Sequence, residues 1–156
     1  MIIQNNNEDE MIIDKIQGEL KAAMKQAEKE KVLAIRNILA KIKKNQVDSK
    51  KELNEDDIIA IISKYAKQLK DSIKQFKAGN RLDLVEKEEQ ELKIVEQFLP
   101  KQLSENEIDQ IVQDVIKNLN AKSMADMGMV MKEIMNITKG AADGTMISAS
   151  VRNYLK

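Results

Sequence analysis

Apolar residues recur along this chain every third or fourth position, with Lys, Glu and Gln between them, in seven successive stretches. A period of about 3.6 residues returns such positions to one face of a helix. The first stretch, from about Met11 to Glu28, places Ile12, Ile13, Ile16, Leu20, Met24 and Ala27 on one stripe. The second, from about Glu30 to Val47, does the same with Leu33, Ile35, Ile38, Leu39 and Ile42. Asn54 is a predicted N-cap, with Asp56 and Asp57 in the first turn where the helix dipole favours acids. The third helix then buries Ile58, Ile59, Ile62, Tyr65, Leu69, Ile73 and Phe76 and ends near Gly79. The fourth, from about Arg81 to Gln97, carries Leu84, Val85, Leu92 and Val95.

Pro100 stops that helix, because the residue before a proline disfavours helical dihedrals. Just beyond it Ser104 and Glu107 have the spacing of a capping box, and a fifth helix follows through Ile108, Ile111, Val112, Val115, Ile116 and Leu119. Ser123 is the cap expected for a sixth, methionine-rich helix, and a seventh runs from about Thr145 to Leu155. No stretch alternates with the period of a strand. The expected fold is all-α: a disordered acidic N-terminal tail over residues 1–10, a four-helix domain over 11–99 and a three-helix tail domain over 104–156.

Composition agrees with helices. Of the 156 residues 33% are charged and 3% aromatic, with one Pro and five Gly to interrupt them. No apolar run approaches the roughly 18 residues that would span a bilayer. The polar, acidic start fits neither a signal peptide nor an Arg-rich transit peptide, and this implies a soluble cytoplasmic protein. Cysteine and histidine are both absent, which excludes thiol nucleophiles, disulfides, His-based triads and ordinary zinc sites. Neither a cofactor nor a catalytic residue is expected, and the isolated chain should show no amidase, glutaminase or kinase turnover. The acidic run at 86–91 scatters its carboxylates around a helix and so makes a poor Mg²⁺ site.

The overall balance of 26 basic and 26 acidic residues conceals an uneven distribution. From Lys15 to Lys51 there are 11 basic residues against 4 acidic ones, and from Asp83 to Glu96 there are 6 acids against 2 lysines. Two readings fit: solvated helix faces that attract each other across a bundle, or a basic segment that faces a polyanion such as RNA.

One stretch differs from the rest, MGMVMKEIMNITKGAADG at residues 127–144. Met127, Val130, Met131, Ile134 and Met135 form one helical stripe, so the methionines are expected to fill an irregular small core, with a partner-accepting groove as the alternative. Gly128 inside the same helix suggests that a neighbouring backbone passes close by. Gly140 is expected to end the helix in a left-handed conformation, and Asp143 to cap the last helix at amides near Met146.

Together with VRNYL at 151–155, this stretch resembles the GatB/YqeY tail signature: an M-G-x-V-M helix, then K-G-x-A-D-G, then a final V-x-x-x-L helix. The resemblance extends over nearly the whole chain. LKAAMKQAEKEKVLAIRNILAKIKK is similar to the opening helix pair of free-standing YqeY-like proteins, and KDSIKQFKAGNRLDLVEKEEQELKIVEQFLPKQLSENEI to their middle segment with its LP-x-Q-L junction. Met127, Gly128, Val130, Met131 and Asp143 are the structural residues of the signature. Leu69, Met129 and Ala141 stand where the family commonly has a basic residue, so all three exchanges lose positive charge.

The resemblance implies a link to tRNA. The same tail domain closes the B subunit of the tRNA-dependent amidotransferase, which amidates misacylated Glu-tRNA(Gln) or Asp-tRNA(Asn) with ammonia from glutamine, and there it helps to hold the tRNA. For this chain the implied function is a non-catalytic module that acts on tRNA, an aminoacyl-tRNA or the amidotransferase machinery. The alternatives are a component or stimulator of carbon–nitrogen ligase activity with glutamine as amido-N-donor, and a protein-interaction adaptor. Lys132, Lys139 and Arg152 are then candidate RNA contacts. Gly140 and Gly144 join them by allowing close backbone approach, beside amides at the start of the seventh helix.

Overall fold

The computed structural model describes residues 11–155, so the acidic tail expected at residues 1–10 lies outside the described residues, as does Lys156. Seven α-helices follow in order: α1 (Ile12–Lys25), α2 (Lys29–Ser49), α3 (Glu55–Ala78), α4 (Leu82–Glu96), α5 (Glu105–Leu119), α6 (Met127–Thr138) and α7 (Gly144–Tyr154). A 3₁₀ turn, Met124–Asp126, precedes α6. The protein is all-α, and the described residues contain no strand. The chain gathers into two compact units, one ending at Phe98 and the other beginning at Leu99.

In the first unit, α3 packs mainly on α4, and α1 packs on α2. Its core holds Ile16, Ile35, Ile38, Ile62 and Val95, each at most 1% exposed. The start of α3 is a full capping box: Asn54 Oδ1 accepts from Asp57 N at 2.8 Å, and Asn54 N donates to Asp57 Oδ2 at 3.1 Å. Glu55 at the same end accepts from Ile12 N at 3.0 Å, which satisfies an orphan amide of α1. The first helix ends earlier than its apolar stripe predicts, because Ala27 turns into the left-handed region at φ 56°. On α2 the buried stripe is Ala34, Ile35, Ile38 and Ile42, whereas Leu33 is 56% exposed. One residue's offset rotates a helical position by about 100°, and Leu33 is thereby carried off the core face.

In the second unit, α5, α6 and α7 enclose Ile108, Val112, Val115, Val130, Ile134, Ile147, Val151 and Leu155. The Ser104–Glu107 box caps α5, with Ser104 Oγ accepting at 3.2 Å and Glu107 Oε2 at 2.9 Å. Ser123 caps the 3₁₀ turn rather than α6 itself, and Asp126 holds the entry by accepting from Lys122 N at 2.9 Å. The methionines fill the core only in part. Met127 and Met131 pack against it, half-buried, while Met135 is 46% exposed on the flank of the stripe. The close backbone expected at Gly128 is not there: a Cβ at this position meets nothing within 4 Å.

Two substitutions in α6 separate these roles. Ile134→Ala empties a position that is fully buried and should cost about 2–5 kcal/mol in denaturant unfolding. Gly128→Ala meets open space inside a helix and should stabilise the unit by about 0.5–1 kcal/mol. A destabilising Gly128→Ala would restore the close approach that the sequence suggests.

Candidate functional site

The distinctive geometry of the second unit lies where α6 ends. Lys139 at φ 40° and Gly140 at φ 84° are both left-handed, so the chain reverses within two residues. A side chain there costs about 1–2 kcal/mol, and glycine at the second position avoids a repeat of that strain. Lys139 N still bonds Met135 O at 3.0 Å, and Ala141 N bonds Thr138 O at 2.8 Å. The Thr138 hydroxyl is buried and donates to Ile134 O at 2.9 Å. Asp143 then caps α7 as the sequence suggests, accepting from Thr145 N at 2.8 Å.

The segment that follows Pro100 docks on this turn. Leu103 N donates to Ala141 O at 2.8 Å. The Gln102 side-chain amide donates to Gly140 O and to Pro100 O, each at 3.0 Å. Leu103 and Ala142 both pack against the tail core. LPKQL and KGAADG, two blocks of the signature that lie far apart in sequence, are thus bonded to each other. Ser150, buried on α7, donates to the Asp109 carboxylate on α5, and Gln113 donates to Tyr154 Oη at 2.7 Å. Nothing in the helical period signals these last two pairs.

The candidate RNA contacts fall into two groups. Lys132 is exposed on α6, one turn from both Gly128 and Met135, and Lys139 stands exposed just past the last turn of the same helix. There a cation also complements the negative end of the helix dipole. Arg152 is in the last turn of α7, eight residues beyond Gly144 and therefore about 12 Å along the axis from the amides that begin it. One of those amides, from Thr145, already bonds Asp143, and the Gly140 carbonyl is taken by Gln102. The structure therefore puts Lys139 at the turn, Lys132 about 9 Å before the end of α6 and Arg152 about 12 Å along α7 from its start, so only Lys139 stands at the turn itself. A Cβ at Gly144 meets open space.

The first unit holds a second feature. Tyr65, on α3, donates its phenol to the Glu91 carboxylate on α4, and the Asn37 side chain of α2 donates to the same Glu91 oxygen at 3.2 Å. Lys41 Nζ lies 4.6 Å from the centre of the Tyr65 ring, a cation–π distance. Burial, reinforced by the hydrogen bond to Glu91, pushes the Tyr65 phenol well above its ordinary pKa of 10.0. Beside this cluster an open groove of about 330 Å³ runs between α2 and α4, with Leu33, Ala34 and Ile94 along its floor. The carboxylates of the run at 86–91 turn to different neighbours: Glu89 pairs with Lys77 at 3.4 Å, Glu91 joins Tyr65, and Glu86 lines the groove. Among the described residues no group of three or more acidic side chains gathers to hold a metal ion.

A family model described as "Yqey-like protein" matches residues 13–155. "Altered inheritance of mitochondria protein 41, mitochondrial" of Saccharomyces cerevisiae is 38% identical over 124 residues, which cover 77% of this chain and 66% of that protein. The protein of the same name from Vanderwaltozyma polyspora is 37% identical over 69% of this chain and 60% of its own length. The one from Pyrenophora tritici-repentis is 28% identical over 94% and 82%. The chain thus spans just under two thirds of the yeast relatives. The cytoplasmic location expected from the sequence is overturned by these relatives, all named as mitochondrial.

The Tyr65–Glu91 contact has a pH signature. A phenol whose folded pKa is raised binds its proton more tightly in the folded state. Its contribution is therefore complete below about pH 10 and is lost as pH rises beyond that value. Tyr65→Phe should cost about 1–3 kcal/mol at neutral pH. The difference in unfolding free energy between parent and variant should stay constant up to about pH 10 and shrink above it. A difference that stays flat through the alkaline range would remove Tyr65 from this role.

Proposed function

The chain belongs to the Yqey-like protein family, and on that premise we propose that it is a non-catalytic helical module that engages tRNA, or an assembly that charges tRNA, through its second unit. The observation that carries this reading is the bonded pair of signature blocks, LPKQL and KGAADG, which holds the α6–α7 turn in a fixed shape beside Lys139, with Lys132 about two turns back on α6. The resemblance of those blocks to the tRNA-holding tail of the amidotransferase B subunit supplies the ligand class. A chain without His or Cys supports binding rather than chemistry, so this protein would act beside an amido-transferring or tRNA-charging enzyme. Its compartment follows the names of its relatives, the mitochondrion.

The contact is small. Lys132 and Lys139, with Met129 and Ala141 in place of the family's usual cations, leave only a few phosphates to be neutralised. Each neutralised phosphate contributes a slope of roughly −0.9 to the dependence of log affinity on log salt. The slope for this protein should therefore be shallow, about −2 to −3.

The test is a polarization titration of the full chain with folded tRNA at low and moderate salt. Lys132→Glu with Lys139→Glu should weaken binding at least about tenfold without changing helicity, and Arg152→Glu should weaken it less. If the double variant binds like the parent while Lys43→Glu with Lys44→Glu abolishes binding, the RNA site belongs to the basic segment of the first unit. If the parent does not bind tRNA at low salt, the reading fails altogether.

A further inference from the structure

The groove between α2 and α4 is apolar at its floor and acidic at its rim, a combination that the tRNA reading leaves unused. Leu33 lies in it 56% exposed, although its neighbours Ala34 and Ile35 are buried in the core. Ile94, half-buried, faces the same space from α4. The lining runs from Glu30 to Asn37 on α2 and from Asp83 to Ile94 on α4, that is, about two to three helical turns. An open trough of that length with an aliphatic floor suits the side chains that a docked helix presents at positions i, i+4 and i+7.

Charge selects the kind of helix. Four carboxylates line the groove, Glu30, Asp83, Glu86 and Glu91, against one lysine, Lys87. Two of the four are engaged: Asp83 accepts from Arg81 at 3.3 Å, and Glu91 is held by Tyr65 and Asn37. Glu30 and Glu86 are exposed, and neither is in an ion pair among the described residues. A nucleic acid would be repelled here, whereas a cation is attracted from both walls. We propose that this groove docks a basic amphipathic helix of a protein partner. Aliphatic side chains of that helix seat over Leu33 and Ala34 on one wall and Ile94 on the other, and its lysines or arginines pair with Glu30 and Glu86. This inference stands apart from the tRNA reading, which concerns the second unit.

The probe is a fluorescein-labelled helical peptide of about 20 residues, long enough to hold a helix, with leucines at i, i+4 and i+7 and lysines on both flanks. Its anisotropy is titrated with the full chain. Saturable binding is expected, together with methyl NMR shifts confined to Leu33, Ala34 and Ile94 and their neighbours. Leu33→Asp should weaken binding at least about tenfold, as should Glu30→Lys combined with Glu86→Lys. These residues are exposed, so the variants should keep the parent's circular dichroism, and Lys43→Glu should bind as the parent does. A control peptide with alanine in place of leucine should bind at least about tenfold more weakly. Absence of saturable binding overturns the proposal, and so does equal affinity for the leucine and alanine peptides, which would leave only an acidic patch that attracts any polycation. Self-association in sedimentation that Leu33→Asp abolishes would assign the groove to a second copy of this chain and overturn it equally.

Discussion

One backbone hydrogen bond, from Leu103 N to Ala141 O, ties the beginning of the second unit to its most constrained turn. A domain of this size has a small core and little stability to spare. Seven of its eight buried core residues come from three helices that a short loop and a tight turn must aim at one another, and the eighth, Leu155, lies just past α7. The reversal at Lys139 and Gly140 aims α7, and the hydrogen bonds from Leu103 and Gln102 fasten the entry of the unit to that reversal. The capping box at Ser104 then starts α5 immediately beyond Leu103. Asp143 starts α7 in the same way on the other side. The family signature in this region is thus largely a set of backbone instructions: caps that begin two helices and a glycine that permits the turn.

The first unit solves a different problem. Its long helices bury enough aliphatic surface to hold together, yet they also bring the buried Tyr65 side chain against the half-buried Glu91 carboxylate. Polar groups out of water must find partners, and here they find each other, with Asn37 adding a second donor and Lys41 covering the ring. This cluster ties α2, α3 and α4 at a single point. Two of its members, Asn37 and Glu91, also line the α2–α4 groove.

Much of the fold was legible in the sequence because caps and helical periods are local. Asn54, Ser104 and Asp143 cap as their residue types suggest, and the stripes of α3 and α5 face inward. Three features were not legible, each for a physical reason. Leu33 is apolar and close to the stripe, but burial depends on which angular sector a neighbouring helix covers, and sequence does not state that sector. Gly128 suggests a crowded contact because glycine is costly in a helix, and the structure has open space there, so its presence has no packing explanation. The pairs Tyr65–Glu91, Gln102–Gly140 and Gln113–Tyr154 join residues far apart in sequence, which no local pattern encodes. Position along the chain sets Arg152 with Lys139, and α7 carries Arg152 about 12 Å along its axis from the amides at its start, a spacing that helical rise gives but residue type does not.

Native-state hydrogen exchange at the Leu103 amide tests most directly whether the two signature blocks fold as one unit. An amide bonded across the turn opens only when the unit opens. Leu103 is therefore expected to exchange with the same opening free energy as Val112 and Ile134, the fully buried residues of α5 and α6. Exchange of Leu103 at the rate of an unprotected loop, while Val112 and Ile134 stay protected, would contradict the coupling and separate LPKQL from the turn it is bonded to.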